Sequence, residues 1–76
     1  MSAAWSGMVK LHAQELAACG HYRRTQFPTR EQRQEIERDV RQLLGELTQD
    51  DVADALKEIT RHADALVMQK DARHNV

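Results

Sequence analysis

Residues 52–67 read VADALKEITRHADALV, and the spacing of their apolar positions decides the fold. Apolar side chains recur every three or four residues, which places them on one face of an α-helix. Apolar and polar residues do not alternate over a useful length, so the stretch does not favour a strand. It predicts a helix over residues 49–70 whose buried face carries Val52, Ala55, Leu56, Ile59, Ala63, Leu66 and Val67.

A second helix is predicted immediately before this one, over residues 30–46. Thr29 and Gln32 have the spacing of a capping box, and apolar residues follow at helical intervals from Ile36 to Leu47. Gly45 interrupts the pattern near its end, and Thr48 with Asp51 provides a new capping pattern for the next helix. The connection is short, so the two helices must form an antiparallel hairpin.

The first helix is predicted over residues 3–19, followed by a loop over 20–29. Gly20 is a suitable C-cap, and Pro28 disfavours helical backbone at the residue before it. We therefore expect an all-α fold in a single domain over 1–76, a small three-helix bundle built on the antiparallel helical hairpin. One face of the first helix carries Trp5, Met8, Val9, His12, Leu16 and Cys19.

The small size of the chain predicts that a second molecule completes its core. A chain of 76 residues buries only about 60% of the surface that it exposes when unfolded, and its apolar faces are broad for so short a bundle. We expect a homodimer or docking on a larger protein, with Trp5, Val9, His12 and Leu16 at the interface. His12 has two interpretations: a core histidine bonded locally to a carbonyl or carboxylate, or a protonation-sensitive contact at that interface.

Composition excludes several classes of protein. Eleven basic residues against twelve acidic ones give a net charge of −1 and a pI near 6.4, which provides no broad positive field for nucleic acid. No apolar run approaches the roughly 20 residues of a membrane-spanning helix. A single cysteine and the lack of a secretory signal pattern favour a cytoplasmic location.

Catalytic and metal-binding patterns are also missing from the sequence. His12, Cys19 and His21 are the best candidates for metal ligands, but they lack the paired spacing of known zinc sites. No glycine-rich phosphate loop or nucleophile elbow is present. We therefore predict no metal site, no cofactor and no enzymatic activity.

Among the segments of this sequence, residues 21–33 have the composition most typical of a binding surface, because they combine arginines with aromatic residues. Arginine recognises carboxylates and phosphates in bidentate fashion, and aromatic side chains add buried area at low entropic cost. In the alternative interpretation, the aromatic residues cap the bundle and the arginines are only solvated. The predicted partner-binding residues are Tyr22, Arg23, Arg24, Phe27, Arg30 and Arg33.

The second helix carries an acidic row, Glu31, Glu35 and Asp39, at intervals of four residues. Like charges at this spacing weaken an isolated helix slightly. The row is either an ordinary solvated face or a surface that meets basic groups of another chain.

We expect a small non-catalytic protein-binding regulator, an adaptor or inhibitor, that docks an amphipathic helix face and the basic aromatic loop on a larger protein. By class-level analogy alone, such proteins are common among inhibitors from bacteriophages and other mobile elements. One alternative is a DNA-binding regulator, because Leu47–Leu56 resembles the opening helix of a helix-turn-helix unit. However, residues 57–61 continue the same helix where a turn should follow. The other alternative is a self-associating structural helical protein.

Overall fold

The chain forms three α-helices in the computed structural model, which describes residues 3–19 and 26–74, with side chains as far as residue 69. The helices are α1 (Ala3–Ala18), α2 (Arg30–Leu44) and α3 (Gln49–His74). α3 packs against both other helices, and most extensively against α1. The described residues contain no strand, which confirms the predicted all-α bundle.

Local hydrogen bonds fix both ends of α2. Thr29 and Gln32 form the predicted capping box, because the Thr29 hydroxyl accepts from the Gln32 N–H at 3.2 Å and the Thr29 N–H donates to Gln32 Oε1 at 2.8 Å. α2 ends at Leu44 rather than near residue 46. The reason is Gly45, whose φ of 75° is left-handed and whose N–H donates to the Arg41 carbonyl at 2.8 Å.

α3 begins as the sequence predicts but runs further. The Thr48 hydroxyl accepts from the Asp51 N–H at 3.1 Å and donates to its carboxylate at 2.6 Å. The helix continues to His74, past the predicted end near residue 70, because residues 68–74 contain neither glycine nor proline to stop it. The connection over residues 45–48 leaves α2 and α3 as an antiparallel hairpin.

One apolar core lies between the three helices. Each helix contributes one face, and the alanines of α1 and α3 in the core have no exposed surface at all. Small side chains at a helix contact allow the helix axes to approach closely. The buried cluster consists of Trp5, Met8, Val9, Ala13, Leu16, Ile36, Val40, Ala55, Ile59 and Ala63.

The structure changes the interpretation of the α1 face. Trp5, Val9 and Leu16 were expected at an interface with a second molecule, yet they are only 7%, 2% and 6% exposed within this one chain. The helices of the chain itself already cover these residues, so their burial requires no partner.

Ile59→Ala should lower the free energy of unfolding by about 2 to 4 kcal/mol, because Ile59 is fully buried and the smaller side chain leaves a cavity in the core. Met68→Ala, on the same helix but at a position 71% exposed, should change it by less than about 0.5 kcal/mol. Urea denaturation followed by circular dichroism measures both values. Equal midpoints for the two variants would contradict the core described above.

Candidate functional site

An open groove with a volume of about 580 Å³ lies between the segment that precedes α2 and the outer face of α3. α2 runs antiparallel to α3, so the residues before α2 lie beside the C-terminal half of α3. Phe27 and Pro28 form one wall of the groove. Apolar residues of α3 complete it, and these are Leu56, Ala65 and Met68.

The α3 wall of the groove carries three charged residues. The cations Lys57 and Arg61 lie one helical turn apart, and the carboxylate-bearing Asp64 lines the groove as well. Arg61 donates to Glu58 at 2.6 Å, whereas Lys57 makes no ion pair with any described residue. Like charges four residues apart slightly weaken a helix, so this pair gives α3 no stability of its own. The groove therefore combines an apolar surface with an available cation.

The structure places only part of the predicted basic aromatic loop. Tyr22, Arg23 and Arg24 lie outside the described residues. Phe27 is half-buried, packs against the core and also lines the groove. For Phe27, packing against the bundle and lining a binding surface are therefore compatible.

The two arginines of α2 lie on its exposed surface. Arg30 is exposed in the first turn, and Arg33 donates through Nε to the Glu37 carboxylate at 3.2 Å. Neither of them lines the groove. An exposed pair of this kind contributes little stability, so Arg33 can exchange Glu37 for another carboxylate at small cost.

The apolar periodicity of the sequence does not predict the part of the groove that α3 contributes. Met68 lies off the buried stripe of α3, and it is 71% exposed. An analysis that looks for one apolar face assigns such a residue to solvent. The available signal was the combination of an apolar residue outside the stripe with two cations spaced by four on the same surface, Lys57 and Arg61.

His12 joins α1 to α2 through a hydrogen bond to Asp39. Its Nε2 lies 2.7 Å from Asp39 Oδ2, and the His12 side chain is 12% exposed. A carboxylate oxygen only accepts, so Nε2 is the donor. The local interpretation of His12, a histidine satisfied by a carboxylate within the chain, is therefore the one that the structure shows.

A smaller cavity of about 150 Å³ next to His12 is lined in part by the carboxylates of Glu15 and Glu35. Cys19 also lines it, and its thiol donates to the Leu16 carbonyl at 3.1 Å. Over residues 3–19 and 26–69, no three histidine, cysteine or acidic side chains lie close enough together to hold a metal ion.

α3 runs without a break through Lys57–Arg61, so the resemblance of Leu47–Leu56 to a helix-turn-helix unit stops at its first helix. None of the described helices is both long enough and apolar enough to cross a bilayer. Comparison of the chain with protein-family models, with curated proteins and with solved structures gave no match.

Asp39→Ala should lower the free energy of unfolding by about 1 to 2 kcal/mol more than Asp54→Ala does, because it leaves the Nε2–H of His12 without its acceptor. Asp54 is an exposed residue within α3, so its replacement controls for the higher helix propensity of alanine. Urea denaturation gives both values. A difference near zero would show that the His12–Asp39 hydrogen bond does not hold α1 against α2.

Proposed function

We propose that this chain is a small non-catalytic regulator, an adaptor or inhibitor, that binds a larger protein through the groove between Phe27-Pro28 and α3. The observation that carries the proposal is the exposed apolar lining of this groove. Met68, which lies on the α3 wall, is 71% exposed. Contiguous apolar surface that a small protein leaves open is typical of an interaction site.

The shape of the groove favours an amphipathic helix as the partner element. Its α3 wall extends from Leu56 to Met68, a distance of about 18 Å at 1.5 Å per residue. This length matches about three turns of a helix lying along α3, with apolar side chains at intervals of three and four residues. Methionine suits such a surface, because its flexible thioether adapts to differently shaped side chains.

Two of the three charged residues that line the groove, Lys57 and Arg61, are cations, which favours an acidic partner. Among the described residues, Lys57 has no ion-pair partner and Arg61 pairs with Glu58 of its own helix. A carboxylate beside the apolar face of the partner helix would orient it and speed its association. Tyr22, Arg23, Arg24, Arg30 and Arg33 remain predicted partner contacts.

Location and origin belong to the same proposal. We propose a cytoplasmic protein of bacterial or phage origin, on the basis of its composition and small size.

Met68→Glu should weaken binding of the partner at least about tenfold, because it puts a charge where the partner would bury an apolar side chain in the complex. Lys57→Glu should weaken binding about three- to tenfold, and more at low salt, because it reverses the charge that attracts the partner. Arg38→Glu is the matched control for Lys57→Glu, since it also replaces a cation with a carboxylate, on an exposed part of α2 away from the groove.

The partner is first captured from cells with the tagged parent chain and quantified by mass spectrometry with each variant. Its affinity is then measured with purified proteins by fluorescence anisotropy. Equal binding by the parent, Met68→Glu and Lys57→Glu would dismiss the groove as the binding site.

Methionine oxidation provides a test that needs no substitution. In the free chain, peroxide should oxidise Met68 much faster than Met8, which is 9% exposed. The bound partner should slow oxidation of Met68 and leave the slow rate of Met8 unchanged. Peptide mass spectrometry reads both sites in one sample. Unchanged oxidation of Met68 in the complex would place the partner elsewhere.

The same preparations separate the two alternative functions. A DNA-binding regulator would retard labelled DNA at low salt, and replacement of Arg30 and Arg33 would weaken that retardation. A self-associating structural protein would recover only further copies of itself. If either result is obtained, and no protein is found whose binding depends on the groove, the corresponding alternative function replaces the proposal.

A further inference from the structure

α1 has a second apolar face, opposite the one that enters the core. Ala4, Gly7, Leu11 and Ala18 lie on this outer face, and the Leu11 side chain is 57% exposed. α1 has no acidic residue in its first turn and no basic residue in its last turn.

Gly7 has no evident role in the packing of its own chain. Glycine inside a helix is less stable than alanine, so its presence there normally has a packing reason. A Cβ atom added at Gly7 would meet nothing within 4 Å, so no described part of the chain requires the side chain to be absent there. Close approach of a helix from another molecule would require a residue without a side chain at this position.

The outer face follows the spacing of a coiled-coil seam. Ala4, Leu11 and Ala18 are seven residues apart, and Gly7 and Gln14 occupy the intermediate positions three residues after Ala4 and Leu11. In heptad terms these are the a and d positions, the ones that meet a partner helix. The seam therefore presents one large apolar side chain, Leu11, together with the polar Gln14 and three small residues.

The two charged residues of α1 flank this seam on opposite sides. Lys10 occupies the g position and Glu15 the e position that follows it. They are about 140° apart around the helix, so they cannot pair with each other, and neither forms an ion pair with any described residue. In two parallel helices in register, the g residue of one lies beside the following e residue of the other.

The surroundings of each flank strengthen this complementarity. On the α2 side, Glu15 shares a small cavity with Glu35, so this edge is acidic. On the α3 side, Lys10 lines another small cavity and provides the positive charge of this edge. A twofold axis parallel to α1 places the acidic edge of one copy against the basic edge of the other. An antiparallel twofold pair would instead place like edges together.

We propose that the outer face of α1 binds the same face of a second copy of this chain, with the two α1 helices parallel and in register. Lys10 of each copy then lies beside Glu15 of the other, and Leu11 packs against its symmetry mate over Gly7. The second copy meets the face opposite Trp5, Val9 and Leu16. This contact is independent of the proposed groove, which lies on α3 and the segment before α2.

Sedimentation equilibrium should show a reversible dimer for the parent chain. Leu11→Lys should raise the dissociation constant at least about tenfold, because it replaces the main apolar contact with two like charges on the twofold axis. Leu44→Lys is the matched control at an exposed leucine of α2, 44% exposed, and should leave the constant unchanged. Circular dichroism checks that both variants fold. A parent chain still monomeric at about 1 mM, or a dimer indifferent to Leu11→Lys, would overturn the proposal.

Charge exchange tests the parallel orientation. Lys10→Glu alone and Glu15→Lys alone should each raise the dissociation constant about three- to tenfold, and the double variant should restore it.

Disulfide cross-linking tests the orientation independently. In a Cys19→Ser background, Ala4→Cys should form a disulfide between the two copies under mild oxidation. A dimer that cross-links only when one copy carries Ala4→Cys and the other Ala18→Cys would be antiparallel and would contradict the proposed parallel dimer. Met68→Glu should not affect any of these measurements, which separates this proposal from the groove.

Discussion

The contact between α1 and α3 is the constraint on which the rest of the structure depends. It is the most extensive helix contact in the molecule, and Ala13, Ala55 and Ala63 are completely buried in the core to which both helices contribute. Alanine at such positions lets the helix axes come close enough for a few larger side chains, Ile59 among them, to fill the remaining space. A chain of this size has no second core to compensate for a loosened one.

The lengths of the helices explain why the groove is open at its Met68 end. α3 has 26 residues and α2 has 15, which correspond to about 39 Å and 22 Å of helix. α2 therefore cannot cover α3 along its whole length. The short segment with Phe27 and Pro28 covers part of the remainder, and the groove runs beside this segment from Leu56 to Met68. The apolar residue Met68 lies in this uncovered stretch, beyond the reach of α2.

Local interactions made much of the fold predictable from the sequence. Capping at Thr29 and Thr48, and the stop at Gly45, depend on residues within four positions, so their spacing in the sequence contains the necessary information. The partner of His12 is different, because Asp39 is 27 residues away and its choice depends on how α2 lies against α1. The α1 face containing Trp5 was assigned to an interface for the same reason. Periodicity identifies a face to be covered, but it does not tell whether the covering helix belongs to the same chain.

The candidate surfaces were harder to predict because they contribute little to folding. The exposed ion pairs of Arg33 with Glu37 and of Arg61 with Glu58 are short-range contacts within single helices, and such pairs add little stability. Exposed residues on either side of the Arg61–Glu58 pair, such as Lys57 and Met68, can change without loss of the core. The sequence pattern that specifies the fold therefore leaves these positions unconstrained. Neither Lys57, which has no ion-pair partner among the described residues, nor the exposed Met68 is therefore explained by the stability of the bundle.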